Sequence, residues 1–543
     1  MPPGDSVVAF AIGKRPARLR DGGKTAMTSA DKITALRGMR DVFSAEYAQR
    51  RWVQHTLERH LRLYSYVPID LPILENTELY LRKSGEDISA RLFEFEFKNR
   101  RIALRPELTA SVVRAYVENL QDEPLPLRIQ YSGPVFRYEK PQQNRYRQFT
   151  MTGAELLGAG GAKADAELLH LAGRGLEQVG INDYKLVIGH TAALEGFLQQ
   201  LGLRKQLLNH LLRNMENLRK RGLKHVIDSL QDIFPEFDVA VADGGAAAGS
   251  DTASGQQLIE VLREMTDGEA RQAIADFLHS LNIRIDTNRD EGEVIDRLLH
   301  KIREVEQGPK LQVALDYMAR LGELRGPPAD VLPRARALAA EYSLDRHTIS
   351  ALEDTLACLA DCGALRGEIE LDFGLNRGLH YYTGLMFEIH CPKADGESLQ
   401  LCGGGRYDNL VSVLGGSEPV PAAGFAYGLE RIARLLDEGE RASLKRPDVY
   451  LIPIAEADAA AGFQIANTLR ERDIIVEVSI DGRSLRRSLK HADRKGAALV
   501  IIIGEAERAR QAAILREMSS HQEWTVTFDE LPGRVEELLK THD

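Results

Sequence analysis

Between Gly133 and Gly158 the chain reads GPVFRYEKPQQNRYRQFTMTGAELLG. Two runs flank a basic, polar loop: IQYSGPVFRYE over Ile129–Glu139, and RQFTMTGAELLG from Arg147. Aromatic and β-branched residues recur in both at period two, the signature of half-buried strands. The intervening KPQQNRY holds Pro141 and Asn144, so the spacing predicts two strands joined by a long hairpin loop. Arg137, Lys140, Arg145 and Arg147 sit on or beside that loop. A basic hairpin on an antiparallel platform suits a polyanion, since each arginine can hold a phosphate through a forked pair of hydrogen bonds. An edge hairpin with solvated charges is the plainer reading, and the rest of the chain chooses between the two.

At 543 residues the chain has room for two to four domains. Its 43% hydrophobic and 28% charged content is that of a soluble globular protein. A net charge of −10 means that any nucleic-acid partner needs a local basic surface. No run approaches the length of a membrane span, so no membrane partner is expected. Of four cysteines, Cys358 and Cys362 share a helix face, while Cys391 and Cys402 lie elsewhere. That is neither a disulfide framework nor a paired metal signature; it points to a reducing, cytoplasmic location and to cysteines serving as small buried hydrophobes. No metal-ligating cluster is read. The apolar patch VVAFAIG precedes its basic residues, the reverse of a secretory signal. Met27 opens a natural-looking start, and residues 1–30 are expected to be a disordered tail or a start-site artefact.

Ser44–Tyr64 has helical apolar spacing through Trp52, Val53, Leu57, Leu61 and Leu63, with Ser44 as a candidate N-cap. VPIDLPIL carries Pro68 and Pro72, which confines it to an edge or irregular strand. From Arg91 the pattern is a hairpin turning at Lys98-Asn99-Arg100, then a helix. Glu107 and Thr109 stand where the strand ends and the helix begins, a common place for ligand-binding polar groups. A capping role explains Thr109 equally well. Ala164–Val179 reads as a helix and Tyr184–Ile188 as a strand. Residues 191–367 turn helical, with a Gly/Ala/Ser-rich linker at 241–257 and a break at 324–334.

Strand pattern returns in EIELDFGLNRGLHYYTGLMFEI, where Asp372, Arg377, Tyr381 and Tyr382 surround a glycine-bearing turn. LCGGGRYDNLV puts three glycines before Arg406-Tyr407-Asp408, either a tight hairpin or a close backbone approach. PAAGFAYGLERIARLLDE pairs a small-residue strand with a helix; Gly424 and Gly428 leave room for a planar ligand or another strand. Arg431 in the first helical turn opposes the helix dipole, which a phosphate there would relieve. From residue 446 to 543 a βαβαβ alternation predicts a small α/β domain. Arg483, Arg486, Arg487, Lys490, Arg494 and Lys495 crowd one segment of it. A solvated helix face is the simpler account; in an acidic chain the crowding favours an RNA backbone.

Together these motifs resemble the histidyl-tRNA synthetases, class II aminoacyl-tRNA synthetases, over residues 32–535 outside much of the middle stretch. FRYEKPQQNRYRQF is similar to motif 2 and PAAGFAYGLERIARL to motif 3; Pro72 and its preceding helix resemble motif 1, which in this family builds a homodimer interface. RGLHYYTGLMFE and GGGRYDNLV resemble the two histidine-specific signatures. The resemblance implies an α+β fold: an antiparallel sheet flanked by helices in a catalytic core over 31–190 and 368–440, a helical insertion over 191–367, and an α/β anticodon-binding domain over 446–543. It implies histidine, ATP with Mg²⁺, and histidine tRNA as partners. Arg137 would hold the α-phosphate, Glu139 would fix ATP, Arg431 would anchor the far phosphates, and Arg377 would meet charge developing at the α-phosphate. Glu107 and Thr109 would meet the amino-acid backbone; Glu155 and Tyr382, with Tyr381 beside them, would bracket the imidazole. The basic segment from Arg483 to Lys495 would bind tRNA. Two positions depart from the family pattern: Met151 stands where glutamine is usual, and His380 where aspartate is usual. Losing the glutamine's hydrogen bond to a charged group weakens binding by about 1.5–3 kcal/mol. Other family members are non-catalytic, as a regulatory subunit of ATP phosphoribosyltransferase, and a third possibility is an RNA-binding sensor.

Overall fold

The computed structural model describes residues 33–84, 86–139, 146–234, 267–280, 308–344, 347–375, 381–392, 398–436 and 446–540. The expectations for the N-terminal tail, Lys140, Arg145, the 241–257 linker, Arg377 and His380 lie outside these residues.

The chain-order strands are β1 (Val67–Pro68), β2 (Leu74–Asn76), β3 (Phe93–Phe97), β4 (Arg100–Leu104), β5 (Leu127–Phe136), β6 (Gln148–Leu157), β7 (Lys185–His190), β8 (Arg325–Gly326) and β9 (Glu368–Asp372). They continue as β10 (Leu385–Pro392), β11 (Ser398–Arg406), β12 (Ala422–Gly428), β13 (Val449–Pro453), β14 (Val476–Val478), β15 (Leu499–Ile503), β16 (Ala512–Glu517) and β17 (Glu523–Thr527). A nine-stranded sheet runs β1-β5-β6-β12-β11-β10-β7-β9-β8. From β5 to β7 every neighbour is antiparallel. The period-two runs pair as expected, β5 with β6, from Leu127 opposite Leu157 to Phe136 opposite Gln148. The proline-bearing β1 is two residues long and sits at the sheet edge, parallel to β5.

Two sequence readings change at this level. The three glycines of LCGGGR lie inside β11 rather than in a hairpin turn, and β12 runs beside them with Gly405 opposite Gly424. The runs around Arg377 are not neighbours: β7 separates β10 from β9. A small sheet, β2-β4-β3, carries the expected hairpin. Its two-residue turn puts Lys98 (φ 50°) and Asn99 (φ 61°) in the left-handed region, the geometry that matches strand twist.

Helices α1 (Ser44–Leu63), α2 (Thr77–Ser84), α3 (Thr109–Asn119) and α4 (Ala162–Gln178) surround the sheet. The helix α1 begins after Phe43, not after Ser44, and α3 begins after Leu108. Leu57 and Leu61 of α1, Leu169 and Leu176 of α4, and Ile188, Phe387 and Phe425 of the sheet belong to one buried cluster. Leu207, Leu211, Leu315, Met318 and Leu352 from the middle helices belong to the same cluster, so these helices share the sheet's core. The expected break at 324–334 is β8 followed by the helix Pro328–Glu341. Pro328 takes a first-turn position, where its missing N–H leaves no bond unmade, and Pro333 lies within the helix. Of the cysteines only Cys402 is buried; Cys358 and Cys391 are half-buried and Cys362 is exposed, so the small-hydrophobe reading holds in full only for Cys402.

A second sheet, β14-β13-β15-β16-β17, is parallel across β14, β13 and β15 and antiparallel beyond. Val449, Leu451, Leu499, Ile501 and Ile503 pack with Leu469 and Val535 into its own core.

Candidate active site

A cavity of about 260 Å³ opens on the large sheet where β6, β11 and β12 meet the ends of β5 and α2. Glu107, Thr109, Arg137, Glu139, Tyr381, Tyr382 and Arg431 all line it. The sheet order explains this convergence of residues more than three hundred positions apart: β12 inserts between β6 and β11.

Two arginines of the cavity lining follow the ends of β5 and β12. Arg137 follows the end of β5, and its backbone N–H still donates to the Arg147 carbonyl at 2.8 Å. Its Nε donates to the Pro106 carbonyl at 2.8 Å, and its guanidinium lies 5.3 Å from the Phe149 ring centroid. Arg431, on the short helix Leu429–Ala433, donates to the Gln400 carbonyl at 2.9 Å. Beside it Glu430 accepts the Thr150 N–H at 2.9 Å and pairs with Arg50 at 3.2 Å, which fastens this helix to β6 and α1.

Three hydroxyl groups converge on Glu155. This carboxylate has no exposed surface. Thr109 donates to Oε1 at 2.6 Å and Tyr131 to the same oxygen at 2.9 Å, while Tyr407 donates to Oε2. The Thr109 hydroxyl is therefore engaged with Glu155, and the capping role open to it from the sequence is not the one it takes. Burial pushes the Glu155 carboxyl up to about 7, against the pull of its three hydroxyl donors and of Lys83. Burial also drives the Tyr131 and Tyr407 phenols well above their usual range, so both stay protonated. A phenol that donates its proton to a carboxylate presents lone pairs to the cavity, an acceptor surface suited to a ligand N–H. The expected direct bracket of Glu155 and Tyr382 is altered accordingly: Tyr382 reaches the cavity, whereas Glu155 lies beneath Thr109, Tyr131 and Tyr407.

Glycine makes this packing possible. Gly424 stands opposite Glu155 in the β6–β12 register, and a Cβ there would fall 1.7 Å from Oε2. A Cβ at Gly405 would fall 2.7 Å from the Tyr382 ring. Tyr381 and Tyr382 lie with ring centroids 4.4 Å apart. Met151 also lines the cavity, where it offers no directed hydrogen bond of the strength of an amide's.

Sequence reasoning missed Tyr131, Tyr407, Lys83 and Glu430. Tyr131 reads as an ordinary strand residue, and only the register that sets it opposite Gly153, where a Cβ would meet its hydroxyl at 2.6 Å, shows its place. Tyr407 directly follows the glycine run and Arg406. Lys83 carried no signal, because a lysine in a last helical turn is ordinarily solvated.

The basic segment lies on the second sheet's helix Leu485–Lys495 and the turn before it. Arg483, Arg486, Arg487, Lys490, Arg494 and Lys495 are exposed, with Ser488 and Ala492 buried on the opposite face. Arg483 pairs with Asp481 at 2.5 Å and Lys495 with Glu477 at 3.2 Å. None of the six lines the cavity. Among the described residues no group of three or more His, Cys, Asp or Glu side chains could hold a metal ion, and no helix is long and apolar enough to cross a membrane.

Residues 38–316 and 253–432 match the family model of histidyl-tRNA synthetase, and residues 448–538 match that of an anticodon binding domain. The histidine–tRNA ligase of Pyrococcus horikoshii is 30% identical over 511 residues, covering 94% of this chain and all of that protein. Its counterpart in Pyrococcus abyssi is 31% identical over 513 residues, covering 93% of this chain and 99% of that protein. Apo Staphylococcus aureus histidyl-tRNA synthetase superposes with a TM-score of 0.60 at 24% identity, over 93% of this chain and 100% of that one. An ATP phosphoribosyltransferase regulatory subunit/histidyl-tRNA synthetase from Bacillus halodurans gives 0.58 at 20%, over 86% of this chain and 97% of that one. The fold is thus common to both, while the full-length relatives are ligases. With its catalytic and anticodon-binding models matched in order and its full-length relatives at 30% identity, the chain belongs to the histidyl-tRNA synthetase family.

Proposed function

We propose that this histidine–tRNA ligase activates its amino acid in the cavity above Glu155, and the buried carboxylate with its three hydroxyl donors is the observation that carries the assignment. In the first step an oxygen of the histidine carboxylate attacks the α-phosphorus of ATP and pyrophosphate leaves, giving histidyl-adenylate. In the second a terminal ribose hydroxyl of histidine tRNA attacks the histidyl carbonyl, its proton passes to solvent, and the acyl–phosphate bond breaks to release AMP. Both steps are displacements in which positioning and charge neutralisation supply the acceleration. Arg137 neutralises the α-phosphate, Arg431 holds the far phosphates and Glu139 fixes the nucleotide. Glu107 and Thr109 receive the main-chain ammonium. Tyr131 and Tyr407, oriented by Glu155, accept from an imidazole N–H, with Tyr381 and Tyr382 closing the side. The role of Arg377 rests on the family resemblance.

Glu139, a carboxylate of the cavity lining, would meet a Mg²⁺ ion held chiefly by ATP oxygens. Such an ion would neutralise phosphate charge. Exposed Val67 on β1, Ile73, Leu74 on β2 and Phe97 on β3 are apolar surface that a second copy would cover, which supports a homodimer. The exposed basic helix supports binding of the tRNA backbone, and the reading as a translation enzyme supports a cytoplasmic location.

The test is aminoacylation of unfractionated tRNA with each of the twenty amino acids in turn. Histidine alone is expected to be esterified. Charging of a different amino acid, or none by the folded protein, contradicts the assignment.

A further inference from the structure

Lys83 is the buried cation of the cavity wall. It lies in the last turn of α2, and its side chain is 2% exposed. A buried ammonium persists only where compensating groups surround it. Here Nζ lies 2.9 Å from Oε2 of Glu107 and 4.1 Å from the centroid of the Tyr381 ring. Glu107 thus supplies the opposite charge that a buried ammonium requires. The other carboxylate oxygen of Glu107, Oε1, accepts the Ala110 N–H at 3.2 Å. The ammonium also stands near enough to Glu155 to favour its ionised form.

These contacts join three separate segments: the end of α2, the turn before α3, and the tyrosine pair before β10. Glu107 and Tyr381 both line the cavity. A lysine placed only to stabilise the fold has no need for both of its partners to face the ligand. We propose that Lys83 is a positioning residue for amino-acid recognition, holding the carboxylate that meets the main-chain ammonium at a fixed distance from the phenol rings that enclose the side chain. The proposal rests on the ligase reading above. It also assigns α2, outside the two signature motifs, a part in histidine selection.

Exchange of labelled pyrophosphate into ATP tests it on the full chain, with the parent, Lys83→Met, Lys83→Arg, Tyr381→Leu and the Lys83→Met/Tyr381→Leu pair. The parent separates the two readings, since absence of histidine-dependent exchange there overturns the ligase assignment itself. With the parent active, Lys83→Met is expected to raise the histidine KM about tenfold or more while the ATP KM stays within about twofold, the pattern of lost ground-state binding at one substrate. Lys83→Arg keeps the charge and the ring contact and recovers part of the loss. The double variant raises KM by less than the product of the two single effects, as expected of one shared contact. A histidine KM within about twofold of the parent in Lys83→Met overturns the proposal. So does a parallel rise in both KM values with a lowered melting temperature, which marks a structural lysine. Should Lys83→Met fail to fold, Lys83→Arg and Tyr381→Leu decide: unchanged histidine KM in both overturns it.

Discussion

Glu155 lies fully buried beneath three side chains of the cavity wall, and its burial gives a titration that can be followed. A carboxyl raised in the folded state from 4.5 to about 7 stays protonated there while its unfolded counterpart ionises. Its contribution is therefore nil below about pH 4.5; stability falls as pH rises toward about 7 and has lost the full amount above it. A shift of this size corresponds to about 3 kcal/mol. Glutamine at 155 does not titrate. Urea denaturation from pH 4 to pH 8 is expected to show Glu155→Gln gaining on the parent by about 3 kcal/mol across that window. Parallel stability profiles would contradict the raised carboxyl. At the same scale, Thr109 shows why a local reading of a polar residue can fail: its hydroxyl has a helix N–H nearby in sequence and a carboxylate nearby in space, and the carboxylate wins at 2.6 Å.

The pairing of β12 with β6 and β11 decides what the glycines do. An alanine at 424 drives its methyl into the Glu155 carboxylate, and backbone on either side in a central strand leaves little room to shift. Gly424→Ala is expected to lower stability by about 2 kcal/mol and to reduce histidine-dependent exchange at least about a hundredfold, measured by thermal melts and pyrophosphate exchange. Retention of both would mean that the carboxylate has other room. The elements themselves were largely legible in the sequence. Period two marked β5 and β6, and Lys98-Asn99 marked the turn of the small hairpin. Their neighbours were not legible, because the partners of β12 lie far away in the chain and the register is set by side chains meeting across the sheet. Hence the glycines of β11 read equally well as a turn. Arg137, Glu107, Tyr382 and Arg431 stand out in the sequence because their types are unusual for their local positions or match a family pattern, and all four line the cavity. Tyr131 and Lys83 look like core and solvent residues until the fold brings them to the wall.

Across the whole molecule, the cavity and the exposed basic helix belong to different sheets. The cavity sits on the nine-stranded sheet, and the basic helix belongs to the five-stranded one. Reversing charge with Arg486→Glu and Arg487→Glu is expected to lower kcat/KM for tRNA charging about tenfold or more at low salt, with a shallower salt dependence, and to affect pyrophosphate exchange far less. Equal loss in both assays would place those arginines in the activation step instead. The central claim is that one cavity gathers histidine and ATP for displacement at the α-phosphate, and it is tested most directly by ATP–pyrophosphate exchange with and without histidine in the parent, Arg137→Ala and Arg431→Ala proteins. The account predicts exchange that requires histidine and falls about a hundredfold or more in kcat on loss of Arg137, with a raised ATP KM on loss of Arg431. Exchange that proceeds without histidine, or that survives both substitutions in folded protein, would contradict it.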